Sequence, residues 1–211
     1  MEHRTVIVFG ATGNTGQQIC QKLEENDIQH FAFVREGSDE KIKTPNTKFI
    51  FGSVLNKDDI EAAFSAYHFT DVVISLGSRD LKNSYIRSKG TKNVLEVLNK
   101  LSATCQIHVI SALGVGESWS QLNWFSKLIC KVLINGTMKD HELQEEAIVN
   151  SGLKFHIIRP VALNDGLATG KIIIQNARFL PNNTISRADV AQYLVESLLS
   201  NKSGFSSICK E

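Results

Sequence analysis

Residues 5–16 read Thr5-Val-Ile-Val-Phe-Gly-Ala-Thr-Gly-Asn-Thr-Gly16, and this stretch decides the fold. Five β-branched or aromatic residues fit a buried strand. A glycine-punctuated turn follows, and a helical pattern begins at once. Gly10 lets the chain leave the strand through a backbone shape that a side chain would block. Gly13 clears the side chain from the place where backbone must approach a pyrophosphate, and Gly16 lets the helix pack close to the strand. The helix start then offers free N–H groups and a positive dipole end to phosphates. The spacing is Gly-x-x-Gly-x-x-Gly, not Gly-x-Gly-x-x-Gly. The apolar strand before it and the amphipathic helix after it still supply the context that a dinucleotide loop requires.

The next strand sets the expected cofactor. Ile28 to Val34 runs into Arg35-Glu36-Gly37-Ser38. An NAD-dependent protein places Asp or Glu here for the ribose 2′-hydroxyl, whereas an Arg offers a planar fork to a 2′-phosphate. Glu36 falls one residue late and points away by strand alternation. NADP(H) is therefore expected in preference to NAD(H), with a solvated surface Arg as the plainer reading of Arg35.

Further along, the pattern keeps alternating between strand and helix. Strands are expected at 48–51, 71–76 and 105–111, with helices at 57–66, capped by Asn56, and at about 84–101. Strand 71–76 is nearly all apolar, as a parallel strand covered on both faces should be. Such alternation with helix-length crossovers predicts an α/β fold with one doubly wound, mainly parallel sheet. The second half departs from it. Residues 119–134 read as one amphipathic helix with Lys127 and Lys131 on the wet side. It is expected to pack over the end of the sheet and roof a pocket, with membrane-surface binding through Trp124, Phe125 and the lysines as the lesser alternative. A helix at about 137–151, strand 155–160, a short strand at 171–174 and a helix over 187–200 capped by Ser186 follow. Phe205 to Cys209 reads as a closing edge strand. No linker or repeat interrupts the chain, so residues 1–211 are expected to form a single domain.

Composition narrows the function. The 211 residues carry a formal net charge of +1 and no basic run, so no nucleic-acid partner is implied. No apolar run is long enough for a membrane span, and the first residues show no apolar signal region; a cytoplasmic protein is expected. Cys20, Cys105, Cys130 and Cys209 show neither pairing nor metal spacing and read as buried thiols, so no metal site is expected.

Gly10-Ala-Thr-Gly-Asn-Thr-Gly16, Val34-Arg35, Ser151-Gly-Leu-Lys-Phe155 before a strand ending in Arg159-Pro160, and Ile185-Ser-Arg-Ala-Asp-Val-Ala191 together resemble the atypical short-chain dehydrogenases/reductases of the NmrA-like NAD(P)H-binding kind. Gly52-Ser-Val-Leu55, Leu76-Gly-Ser-Arg79 and Ser111-Ala112 look most like the biliverdin-IXβ reductase/NADPH flavin reductase branch. The resemblance implies a single-domain Rossmann fold whose substrate end is built from the loops after the strands and from segment 113–151. It implies that Gly10, Thr12, Gly13, Asn14, Thr15 and Gly16 hold the pyrophosphate and Arg35 the 2′-phosphate. Ser53 and Val54 would lie near the adenine, although Ser53 stands where the family commonly has Asp. Leu76, Gly77, Ser78 and Arg79 would line the nicotinamide side, and Pro160 and Val161 would border its ring.

Short-chain dehydrogenases pair a Ser with Tyr-x-x-x-Lys, the Tyr serving the substrate oxygen and the Lys lowering its pKa. Ser111 fits the serine position. The Tyr and Lys slots hold Thr137 and His141, and Tyr85-Ile-Arg-Ser-Lys89 matches the motif only at the wrong place in the chain. The flavin reductase branch also lacks the pair and has a His matching His141. Ser111 and His141 are thus the catalytic candidates, with His141 gripping ribose or an acidic substrate, or only supporting its helix. Two functions follow. One is an NADPH-dependent reductase of a small conjugated acceptor (a flavin, a quinone or a tetrapyrrole-like molecule). The other is a non-catalytic NADP(H) sensor acting on a protein partner.

Overall fold

The computed structural model describes residues 4–78, 85–174, 181 and 183–211. Strand β1 (Thr5–Phe9) leads through the glycine turn into helix α1 (Asn14–Glu25), then β2 (Gln29–Val34), β3 (Lys48–Phe51), α2 (Lys57–Ala66), β4 (Asp71–Ile74), α3 (Ile86–Lys100) and β5 (Gln106–Ile110). Helices α4 (Trp124–Val132) and α5 (Asn135–Val149) separate β5 from β6 (Phe155–Pro160). The chain closes with β7 (Ala162–Asn164), β8 (Ile172–Ile174), β9 (Thr184–Ser186), α6 (Arg187–Leu199) and β10 (Gly204–Lys210). The main sheet runs in the order β3-β2-β1-β4-β5-β6-β10-β8, parallel throughout except for β8 against β10. The order reverses direction between β1 and β4. An open α/β sheet receives its ligand beyond the strand ends at such a switch point.

Both faces of the sheet are covered, which is why β1 and β4 are apolar at every position after the first. On one face Val6, Val8, Val73, Ile110 and Ile158 pack with residues of α1 and α6. Ile7, Phe9, Val72, Ile74, Val109 and Ile157 pack with α2, α3 and α5 on the other. Cap chemistry sets the helix starts. The Asn56 side chain accepts from the Asp58 N–H at 3.1 Å, and the Ser186 hydroxyl accepts from the Asp189 N–H at 2.9 Å, as the sequence predicts. The four cysteines are buried.

Three elements differ from the sequence-based expectation. The stretch 119–134 is not one helix: a 3-10 turn covers Gly116–Gln121, and α4 starts afresh at Asn123, whose side chain accepts from the Ser126 N–H at 2.8 Å. Strand β10 is not an edge. It pairs with β6 on one side and with the antiparallel β8 on the other, and β8 is the edge strand. A second, two-stranded sheet of β7 and β9 was not foreseen, because three-residue strands carry too little period-2 pattern to be seen.

The α6 face holds a polar seam within its apolar packing. His108 Nε2 donates to Asp71 Oδ1 at 3.0 Å, and Arg4 pairs with the same carboxylate at 3.0 Å. His156 Nε2 lies 2.9 Å from the Ser206 hydroxyl, which also accepts from Tyr193. Burial, with smaller contributions from His108 and Lys202, pushes His156 down to about 4 from an ordinary value of 6.5. Burial also lowers His30. These imidazoles stay neutral in the fold but bind protons once unfolded. Stability is therefore complete above about pH 6.5 and declines as pH falls from there toward the folded values, at about 1.4 kcal/mol per pH unit for each such histidine. Tm measured between pH 7 and pH 5 should drop in the wild type, and His156→Gln should flatten that slope by about one proton.

Candidate functional site

The loop between β1 and α1 is shaped by backbone pressed on backbone. Gly10 has φ +83°, and a Cβ there would lie 2.3 Å from the Ser75 carbonyl oxygen, beyond the end of β4. The Gly10 carbonyl accepts from the Gly13 N–H at 3.0 Å, and a Cβ on Gly16 would stand 2.2 Å from that same oxygen. Gly13 differs. A Cβ on it would meet only the Gly10 oxygen, at 3.3 Å, and otherwise open space. Gly13 is also the N-cap of α1, with no side chain capping it and no acid in the first turn. The first-turn N–H groups are therefore uncapped and there is open space beside Gly13, a fit for an anionic group. Thr15 and Gly16 are buried behind this surface and Thr12 is partly exposed. Between α1 and the start of α6, Asn14, Gln17, Leu167 and Arg187 line a groove, with Lys22 and Asp165 among its charged residues.

Arg35 follows β2 and is exposed, as is Glu36. No carboxylate among the described residues pairs with Arg35. Ser53 is engaged locally: its N–H donates to Asp59 at 2.8 Å, and its hydroxyl accepts from the Leu55 N–H at 3.3 Å. Val54 and Leu76 converge over Gly90 of α3, where a Cβ would stand 2.7 Å from Leu76 and 3.0 Å from Val54. Gly77 is exposed and Ser78 half-buried, while Arg79 lies outside the described residues. The backbone around Pro160 and Val161 is held by the sheet, with Leu113 N–H donating to the Pro160 carbonyl and Val161 N–H to that of Ile208.

Ser111 and His141, the two catalytic candidates, have different partners. Strand alternation turns Ser111 to the α5 side, and its hydroxyl donates to Glu145 at 2.5 Å. Glu145 accepts in turn from Arg159 of β6, whose Nε lies 3.0 Å and Nη2 2.5 Å from the carboxylate. Arg159 also donates to Glu117 at 2.8 Å and lies over the Phe205 ring at 4.3 Å. Burial alone would lower the Arg159 pKa, but the hydrogen bonds it donates to Glu145 and Glu117 raise it. Arg159 correspondingly holds the Glu117 carboxyl below its usual range.

His141 sits one turn before Glu145, in the seam between α5 and α3. Burial first, then the Arg87 charge, pushes it down to about 3, with Asp140 acting in the opposite sense. It is thus a neutral imidazole at any ordinary pH. Its neighbour Asp140 is fully buried and accepts from the Arg87 and Ser88 N–H groups at 3.1 and 2.9 Å. A carboxylate of α5 therefore caps the start of α3 from across the interface. The Arg87 guanidinium reaches back to within 3.7 Å of the Cβ position of Gly77.

Glu145, Arg159, Asp140 and Arg87 were missed as site residues in the sequence. The one signal was a charge in the otherwise apolar run Phe155-His-Ile-Ile-Arg159. Arg87 lay inside the Tyr85–Lys89 motif, dismissed because of its place in the chain.

A parallel sheet of this order, a glycine loop at its switch point and an uncapped helix start define a Rossmann-type dinucleotide-binding protein. The chain belongs to the NAD(P)H-binding family whose model matches residues 10–201. It is 28% identical to an uncharacterised chloroplastic protein of Arabidopsis thaliana, over 96% of this chain and 74% of that one. Among solved structures it is similar to ChuY, an anaerobilin reductase of Escherichia coli O157:H7, with a TM-score of 0.81 and 21% identity over 98% of this chain and 97% of that one. A short-chain dehydrogenase/reductase of Veillonella parvula in complex with NADP superposes with a TM-score of 0.80 and 14% identity, over 98% and 94% of the two chains.

Four substitutions test this geometry. Gly13 has φ −76° and ψ 159°, which valine adopts readily, so Gly13→Val should keep the fold and lose the thermal shift given by NADPH. Gly16→Val should fail to fold. Glu145→Ala leaves Arg159 buried with its exposed partner Glu117 alone and should cost about 3–5 kcal/mol in urea unfolding. Glu117→Ala should cost about 1 kcal/mol or less.

Proposed function

We propose that the protein is an NADPH-dependent reductase of a small conjugated acceptor, a flavin, a quinone or a tetrapyrrole-like molecule. Bound NADPH would supply the hydride, from its nicotinamide. The first turn of α1 holds the pyrophosphate through the N–H groups beside Gly13 and Asn14, and Arg35 takes the 2′-phosphate in its planar fork. Val54 and Leu76 flank the adenine and nicotinamide sides, with Pro160 and Val161 against the ring.

The observation that carries this reading is the engagement of Ser111. Its hydroxyl donates a hydrogen bond to Glu145, which also accepts from Arg159, so the hydroxyl is left as an acceptor only. Thr137 and His141 occupy the Tyr and Lys slots, and His141, held neutral by burial, lacks the acidic imidazolium proton of a general acid. A simple ketone would leave an alkoxide that needs a placed acid. A conjugated acceptor takes hydride into its π-system and draws its proton from water or from its own acidic groups. Such a site works by holding acceptor against nicotinamide, and positioning alone can remove several kcal/mol of barrier. Ser111 and His141 then orient the ligands and transfer no proton. The anaerobilin reductase and NADP-bound neighbours support the class of reaction and the nucleotide.

Two measurements test it. Calorimetry should give NADP(H) at least tenfold tighter binding than NAD(H), about 1.4 kcal/mol, with Arg35→Ala removing most of the difference and sparing NAD(H). NADPH oxidation should be seen with FMN or a quinone, slowed only modestly by Ser111→Ala and unchanged in pH profile by His141→Gln. If nucleotide binds and no acceptor is reduced, the protein is an NADP(H) sensor.

A further inference from the structure

Helix α4 is turned the wrong way round for a helix of a water-soluble domain. Trp124 is 78% exposed, Val132 67%, Phe125 56% and Leu128 52%, while Ser126 and Cys130 face inward. At about 100° per residue, Trp124, Leu128, Val132 and Phe125 fall within one arc of about 100°. Lys127 and Lys131 run along the edge of that arc, and Leu133, also exposed, lies just past the helix end. A contiguous apolar arc of this kind marks an interaction surface.

The charges around it say what covers it. Between Ser118 and Met138 the charged residues are Lys127 and Lys131; Lys139 and Asp140 follow, and exposed Glu117 and Glu142 flank the stretch, Glu117 held by Arg159. Asp140 is buried on Arg87 and unavailable to the surface. Among the described residues no carboxylate pairs with any of the three lysines; Lys131 lies instead over the Trp119 ring at 5.8 Å. A two-fold contact between copies of this chain would set these lysines against their own counterparts. An anionic surface neutralises them. The indole of Trp124, apolar in body and polar at its N–H, fits the headgroup boundary.

We propose that α4 docks this protein on a membrane surface bearing anionic lipid. The helix lies parallel to the bilayer, Trp124, Phe125, Leu128 and Val132 enter the headgroup–acyl boundary, and the three lysines meet lipid phosphates. Since nine residues cannot cross a bilayer, the attachment is peripheral and reversible.

Cosedimentation of the whole chain with vesicles tests the assignment. Vesicles of phosphatidylcholine mixed with phosphatidylglycerol should bind the protein, and phosphatidylcholine alone should bind it at least tenfold more weakly. Added salt should release it. Trp124→Ala and the pair Lys127→Glu, Lys131→Glu should each lower binding about tenfold or more while circular dichroism melting stays that of the wild type. Trp124 fluorescence should shift to the blue on anionic vesicles. Equal binding to both vesicle types would overturn the role of the lysines. A monomer that binds neither overturns the proposal. So does a dimer in sedimentation velocity that Trp124→Ala dissociates, since the arc then belongs to a second copy.

Discussion

The oxygen of Gly10 is where three pieces of backbone are forced together. The Gly13 N–H donates to it, the Gly16 Cα stands too close for any side chain, and Gly10 itself presses on the carbonyl of Ser75. This contact fixes the distance between β1 and α1 and draws the loop after β4 to the same point. The sheet reverses its winding there, so the opening at the switch point has backbone walls. Such walls cannot relax by a change of rotamer, so the shape of the opening is fixed by the backbone.

Around that rigid centre the second half of the chain is tied down by charge. Glu145 and Arg159 join α5 to β6, and Ser111 adds β5 to the same group. Asp140 joins α5 to α3 through the first-turn N–H groups and the Arg87 guanidinium. Helix α5 is thereby bound through adjacent turns to β5 and β6 on one side and to α3 on the other. Removing either carboxylate leaves a buried arginine without its main partner, a larger loss than that of an exposed ion pair.

The fold was legible because its signals are local. The alternation of apolar strands with capped helices, the glycine spacing and the Ser186 cap can all be read within a dozen residues. The partners of Ser111 were not legible, because Glu145 sits in the run Gln144-Glu145-Glu146, which looks like an exposed helix face. Arg159 ends a strand, where arginines are ordinarily solvated. Their pairing depends on the facing of α5 and β6, which no window of sequence contains. Helix α4 teaches a related lesson. Its period announced two faces, and the lysines were read as the wet one. Periodicity separates the faces of a helix without saying which of them the rest of the protein covers.

The buried thiols bear on durability. Burial raises the Cys105 thiol to about 11 and Cys20 to about 12, and it raises Cys130 as well. At pH 7 a thiol of pKa 11 is a thiolate in about one molecule in ten thousand, and only the thiolate reacts readily with peroxides and disulfides. Cys20 and Cys105 therefore offer an oxidant almost no thiolate while the fold stays closed, so oxidation at these two thiols should follow how often the chain opens.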